Sequence, residues 1–353
     1  MQASNAPTKI QKPFADSGDK QIIPVASQIG ITDGRASFTD GFPPLTRTPV
    51  VAGGVPPFGT DMNGILYDIT AIQQWLSAGG RFVYDSAFAA AIGGYPKGAV
   101  LQKTDGSGSW LCTAENNSTN PDTGGAGWQD FSAGRLLGIQ VFTASGTYTP
   151  TTGTKSVVVE AVGGGGAGGG AAATSSGQLA TGSGGHGGAY GKSRFTSGFS
   201  GVTVTIGAGG TAAAAGANSG GNGGTTSFGA LLSCPGGLGG QGCAAATPPF
   251  VNGATPAAGT LPSGANITGM PGQPGVFGFA LNTATAPGGG SNGNGGAGGG
   301  SMFGAGAHAP NGTGARAGYG YGSGSSGSAN PQSSSAQASV AGQPGIVIVY
   351  EYA

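Results

Sequence analysis

Ser156-Val-Val-Val-Glu-Ala-Val162 runs directly into Gly163-Gly-Gly-Gly-Ala-Gly-Gly-Gly170, and Gly345-Ile-Val-Ile-Val-Tyr350 closes the same glycine-rich block. The block spans residues 138–353 and holds most of the 79 glycines of this 353-residue chain. Glycine at that density is the mark of a flexible linker, but a linker has no use for Ile-Val-Ile-Val-Tyr. Val202-Thr-Val-Thr-Ile206 alternates apolar and polar residues with the period of two of a half-buried strand, and Thr225–Phe228 is a further short strand. The expectation is a mainly β, sandwich-like head in which long glycine loops, including Pro287–Gly300, are pinned between strands. Gly272, Gly275 and Gly278 briefly keep the period of three of an extended helix. Elsewhere that period is irregular, which excludes a long collagen-like triple helix. With no side chains to bury, the glycine loops must gain by close backbone approach and hydrogen bonding. Extended helices of three residues per turn, with glycine on the crowded faces, can pack side by side in that way.

Charge narrows the chemistry. Charged residues make up 7 % of the chain, and its formal net charge is zero. Within 138–353 they are Lys155, Glu160, Lys192, Arg194, Arg316 and Glu351, with no aspartate. A glycosidase pair there would have to be Glu160 with Glu351, and a complete Ser-His-Asp arrangement is impossible within the block. No basic stripe suited to nucleic acid is present. Gly163-x-Gly165-x-x-Gly168 after a strand matches a dinucleotide fingerprint, but no amphipathic helix follows and no acid appears until Glu351, so the match is a by-product of composition. His186 and His308 have no ligating neighbours in sequence, so neither a metal nor a cofactor is expected. An axial metal shared between copies stays open. Cys112, Cys234 and Cys243 lack metal-ligand spacing, and Cys234 with Cys243 brackets a glycine loop that allows later pairing, against the default of free buried thiols. The N-terminus lacks an apolar signal region and no run approaches the length of a membrane span, so the expected place of synthesis is a cytoplasm.

Residues 1–60 are rich in proline turns, as in Gly53-Gly-Val-Pro-Pro-Phe-Gly59, and read as an extended arm that needs a surface to lie on. A helix over 61–78 follows, with Thr60 or Asp61 as its cap and Gly79-Gly80 as its stop. Met62, Ile65, Ile69, Ile72 and Leu76 fall at spacings of 3, 4, 3 and 4, a heptad seam whose isoleucines favour trimers over dimers. The competing expectation is one amphipathic helix packed on its own domain. Gly64 weakens the helix by about 1 kcal/mol, so packing must hold it. Residues 81–131 read as a small, mainly β neck with a short helix over 84–92 and a hairpin of 98–102 with 109–113. The spacing of Tyr95, Trp110, Pro121 and Trp128 is weakly similar to small chitin-binding modules, although tryptophans in so small a domain usually form its core.

Nearly the whole chain resembles a tail fibre protein of a tailed bacteriophage. In the N-terminal half the resemblance rests on Pro13-Phe-Ala-Asp-Ser-Gly-Asp-Lys20, Phe38-Thr-Asp-Gly-Phe-Pro-Pro-Leu45, Gly54–Leu66 and Gly93-Gly-Tyr-Pro-Lys-Gly-Ala-Val100. The C-terminal block is similar to the glycine-rich adhesin domain of such fibres through Val141–Pro150, Ser156–Gly163, Val202–Gly210, Gly224–Gly229 and Pro344–Val349. The resemblance implies an elongated homotrimeric fibre of the virion, attached to tail or baseplate proteins through its N-terminal arm. It also implies binding of a bacterial surface receptor, a glycan or a pilus or outer-membrane protein, through the head. On this reading the chain is not an enzyme, binds no nucleic acid and inserts into no membrane. A depolymerase acting on surface polysaccharide and a purely structural glycine-rich protein are the alternatives. The expected receptor contacts are the aromatic and polar residues Phe303, His308, Asn311, Arg316, Tyr319 and Tyr321.

Overall fold

The computed structural model describes residues 6–253, 259–285 and 291–353, without the side chains of 285 and 291. Residues 1–5 of the arm and 287–290 of the second glycine tract lie outside the described residues. The fold is mainly β, with several antiparallel sheets and two α-helices. The chain divides into two compact units, Met1–Ser132 and Ala133–Ala353.

In the first unit the helix expected over 61–78 is α1 (Gly59–Ser77). It has no side-chain cap: Phe58 stands at the N-cap position, and Asp61, fully buried in the first turn, accepts instead from the Ala36 N–H at 2.7 Å. The arm is irregular, as expected, and its surface is α1 itself. Gln21 N–H donates to Thr60 O, Phe14 N–H to Thr70 Oγ1, and the Asn63 and Gln74 amides donate to Asp19 O and Gln11 O. Lys20 lies over the Tyr67 ring at 4.4 Å. Gly64 now has a physical reason: a Cβ there would stand 2.0 Å from Gln21 O, so only glycine lets the arm approach this closely. The neck follows as α2 (Ser86–Ile92) and an antiparallel sheet of β1 (Val100–Gln102), β2 (Ser109–Cys112) and β3 (Trp128–Asp130). Asp85 caps α2 by accepting from Ala87 N and Phe88 N, and Gly93 ends it with φ +77°. Trp128 packs edge-on against Tyr95 beside buried Leu101 and Cys112, so this tryptophan belongs to the core.

The second unit opens with β4 (Leu136–Phe142), β5 (Gly146–Thr147) and β6 (Ser156–Val162). β6 continues as a glycine rod, 163–170, and after a turn β7 (Ala180–Thr181) begins a second rod that returns to β8 (Tyr190–Phe195). β9 (Thr203–Thr205) leads out along 207–213, and the chain comes back along 219–224 to β10 (Thr226–Phe228). β11 (Leu232–Cys234) opens the rod 235–243, beyond which lies β12 (Phe250–Asn252). The chain then comes back to β13 (Thr268–Met270), goes out along 271–277 to β14 (Gly278–Thr285) and β15 (Ser291–Asn294), and returns along 295–300 to β16 (Phe303–Ala305). A further excursion ends at β17 (Tyr319–Tyr321), and a last one passes β18 (Ala329–Asn330) before β19 (Ile346–Tyr352).

Two sheets, β13-β8-β6-β19-β4 and β11-β10-β9-β5, face each other as a sandwich. Val157, Val159, Val347 and Val349 of the first meet Val204, Phe228 and Leu232 of the second, all fully buried. This is the sandwich the valine runs predict. The glycine tracts depart from the loop expectation and take the close-packed extended form instead. They are not loops: residues 161–171 are buried without interruption. Gly164, Ala167 and Gly170 donate to the rod 218–224, Gly166 and Gly169 to the rod 183–186, and Gly165 to Gln343 O. Successive residues therefore bond to three different neighbours, which is what a helix of three residues per turn without internal hydrogen bonds does. Rods pack this closely only where a face carries no side chain. A Cβ at Gly165 would stand 2.1 Å from Ser323 O, and one at Gly185 2.2 Å from Gly166 O. Backbone bonding between rods replaces the missing apolar side chains.

Cys234 and Cys243 do not pair. All three cysteines are free and buried, Cys234 in the sandwich core and Cys243 at the far end of the rod 235–243. Burial pushes the Cys234 thiol up to about 12.

Candidate functional site

A rod of this kind rises about 3.1 Å per residue, so 163–170 carries the chain roughly 20 Å from the sandwich, and the other rods run beside it. The turns at their far ends gather into one apical surface. Leu179 pairs with Ala246, and β7 pairs with β18. Thr174 Oγ1 donates to Pro331 O at 2.5 Å and Ser334 N–H to Thr174 Oγ1, while Asn330 Nδ2 bridges Ala172 O and Ser335 O. Gln332 accepts from Gly177 N–H and donates to Thr283 O. β12, β14 and β15 form a small sheet here, with Phe250 and Ala280 turned inward. Its outer face carries Val251 and Phe279 opposite each other and Leu281 beside them; Val251 is 65 % and Leu281 61 % exposed. The described apical segments 172–179, 214–218, 244–253, 278–285, 291–294, 311–314 and 330–335 contain no charged residue. The surface thus combines side-chain amides, hydroxyls and an aliphatic patch on a fixed backbone frame.

The six residues expected from sequence do not converge. Phe303 packs edge-on against Tyr190, 5.7 Å between ring centroids, and lies opposite Tyr321 in the β16–β17 pair near the sandwich. Tyr319 is paired with Ala305 at the same level and is 63 % exposed. Arg316 stands part-way along, its N–H donating to Ser326 Oγ at 2.7 Å. His308 is exposed between Ala307 and Pro310, whose carbonyls accept from Gly298 and Gly295. Asn311, also exposed, alone of the six belongs to the apex. Read as one free loop, 287–325 looks like a cluster of contact residues. Folded, its described residues form antiparallel rods that spread them along the length of the head. The exposed apolar face of Val251, Phe279 and Leu281 was not singled out from sequence, although Phe277-Gly-Phe-Ala-Leu281 alternates with period two and could have been read as a strand with an apolar face.

The two carboxylates of the head stand on opposite faces of the main sheet. Glu160 points outward and pairs with Lys192 at 2.8 Å, which raises the lysine's pKa. Glu351 is buried inward, accepting from Tyr148 Oη and Thr151 Oγ1 at 2.7 Å, Thr151 N–H at 2.9 Å and Gln140 Nε2 at 3.0 Å. Burial alone would raise its pKa, but these donors together outweigh that and hold it below the ordinary carboxylate value. Opposed in this way, the two cannot flank one glycosidic bond. Among the described residues no group of three His, Cys, Asp or Glu could hold a metal, and no helix is long and apolar enough to cross a membrane.

In the first unit the heptad seam lies bare. Met62, Ile69, Ile72 and Leu76 are 46 %, 52 %, 49 % and 50 % exposed, with Ile65 half-buried. The arm covers a different stripe, Asp61, Gly64, Tyr67, Thr70 and Gln74. α1 does pack on its own domain, chiefly through the stripe opposite its isoleucines. No protein-family model matches the chain, and no curated protein matches it.

Proposed function

We propose that the chain is a receptor-binding tail fibre of a tailed bacteriophage, a homotrimer that joins the tail through residues 1–60 and binds the host cell surface through the apex of its head. The observation that carries this reading is the glycine-rod frame. It spends most of the second unit on holding a set of short connecting segments at one end. Frames of this sort separate stability from specificity, because connecting segments on a rigid scaffold tolerate change while the scaffold does not. The uncovered isoleucine seam supports self-association, and the apex, with its exposed aliphatic patch and amides, supports a binding role. The enzymatic alternative draws no support from the opposed carboxylates.

The test sets the two groups of residues against each other. Purified full-length protein should compete with virions for adsorption to sensitive cells. Val251→Ser with Leu281→Ser should weaken that competition about tenfold, the effect of about 1.4 kcal/mol, with melting unchanged. Arg316→Ala with Tyr319→Ala should leave it within twofold or so, as surface changes away from the binding site do. The opposite pattern moves the receptor site to the rod flank, and absence of competition by the wild-type protein overturns the reading.

A further inference from the structure

Beyond the seam, the first unit has a second uncovered apolar feature. A cleft of about 530 Å³ opens between α1 and the neck, walled by Ile72, Phe82, Val83, Phe88, Tyr95 and Leu101, with Asp85 the one charged group beside it. Phe82, Val83 and Phe88 are 55 %, 42 % and 51 % exposed. We infer that this cleft is the seat of a neighbouring copy's α1, so that each neck is completed by another chain and the trimer interface runs past the helix onto the neck.

The occupant follows from continuity. Ile72 belongs both to the seam and to the cleft wall, so a helix packed along the seam passes the cleft mouth. In a parallel assembly the neighbour arrives at the level of its own Ile72–Leu76 turn, and Ile72 and Leu76 are apolar, half-exposed and on the face turned toward this chain. The chain's own elements are already committed elsewhere. Its arm lies on the opposite stripe of α1, and Trp75 folds back over Gly80, where a Cβ would meet the indole at 2.2 Å, and toward Phe82. Asp85 does not oppose an apolar guest, because its carboxylate is already engaged at the start of α2. A helix seam of two heptads makes a weak trimer alone; aromatic contacts from three necks would make it stable.

This inference rests on the trimeric reading, and the test separates the two. The mass of the full-length chain is measured by analytical ultracentrifugation for wild type, Phe88→Asp, Val83→Asp and the control Val51→Asp, whose parent residue is 99 % exposed and does not line the cleft. Expected is a trimer for wild type and control, and loss of trimer for both cleft variants at the same concentration, with the near-ultraviolet tryptophan signal retained. Trimers from both folded cleft variants overturn the inference and leave the trimer standing. A monomeric wild type overturns both. Should Phe88→Asp disturb the neck through its contact with Tyr95, Val83→Asp decides alone, since Val83 lies outside the neck core.

Discussion

A Cβ at Gly165 would be driven into the Ser323 carbonyl carbon and oxygen at 2.3 and 2.1 Å, while one at Gly146 would meet nothing within 4 Å. The two glycines are indistinguishable in composition, yet only the first is required. Gly165→Ala must push two backbones apart and break the bonds that register them, at a cost of about 1–3 kcal/mol or more. Gly146→Ala should stay within about 0.5 kcal/mol. Thermal melting of the two variants checks the difference, and equal melting would mean the rods do not bear on each other as described. Glu351 makes a second residue-scale prediction. Its folded pKa is depressed, so its contribution is present above the unfolded carboxylate value of about 4.3 and is lost as pH falls through the folded value. Melting of the wild-type head should therefore drop below about pH 4. Glu351→Gln should cost about 1–3 kcal/mol at neutral pH, because an amide cannot accept from all four donors, and should flatten the acid limb.

At the scale of elements, what was legible in the sequence was whatever side chains encode. The valine runs became β6 and β19, the seam became one stripe of α1, and the two-glycine stop ended that helix. The glycine tracts were legible only in part, for a physical reason. Close backbone packing of helices with three residues per turn follows from the lack of side chains, and Gly272, Gly275 and Gly278 keep that period. Each rod, however, is held by backbone bonds to three neighbours distant in sequence, so which tracts meet has no local signal. Taken as loop, 287–325 presents its aromatic residues as free, whereas Phe303 and Tyr321 are half-buried and lie opposite each other across β16 and β17. The arm was read correctly as irregular, but its partner within the chain was invisible. That partner changes what a truncation does. A chain of residues 61–353 loses the arm that covers Asp61, Gly64 and Tyr67 and accepts or donates along the whole helix. It should lose helical circular dichroism and, on the proposed trimeric reading, trimer mass with it, instead of losing only the proposed attachment to the tail. A truncated chain that keeps both would show the arm to be dispensable for α1.

For the whole molecule, the distribution of charge sets an expectation that no single residue does. The charged groups of the second unit, Arg135, Lys155, Glu160, Lys192, Arg194 and Glu351, belong to the sandwich or its margins, with Arg316 on a rod. The apical segments have none. On the proposed function, recognition there comes from amides, hydroxyls, backbone and the Val251–Leu281 patch. Such contacts keep their strength when salt is added, since screening acts on charges and its length is about 10 Å at 0.1 M ionic strength. Binding of the purified protein to sensitive envelopes should accordingly change by less than about twofold between about 50 and 500 mM salt, measured as the concentration for half-maximal competition with virions. A cation-driven adhesin would weaken by orders of magnitude over that range. Steep salt dependence would therefore place the contact on Lys155, Arg194 or Arg316 instead of the apex. Weak dependence, together with loss of binding in the Val251→Ser and Leu281→Ser pair, assigns it to the charge-free end that the glycine rods hold in place.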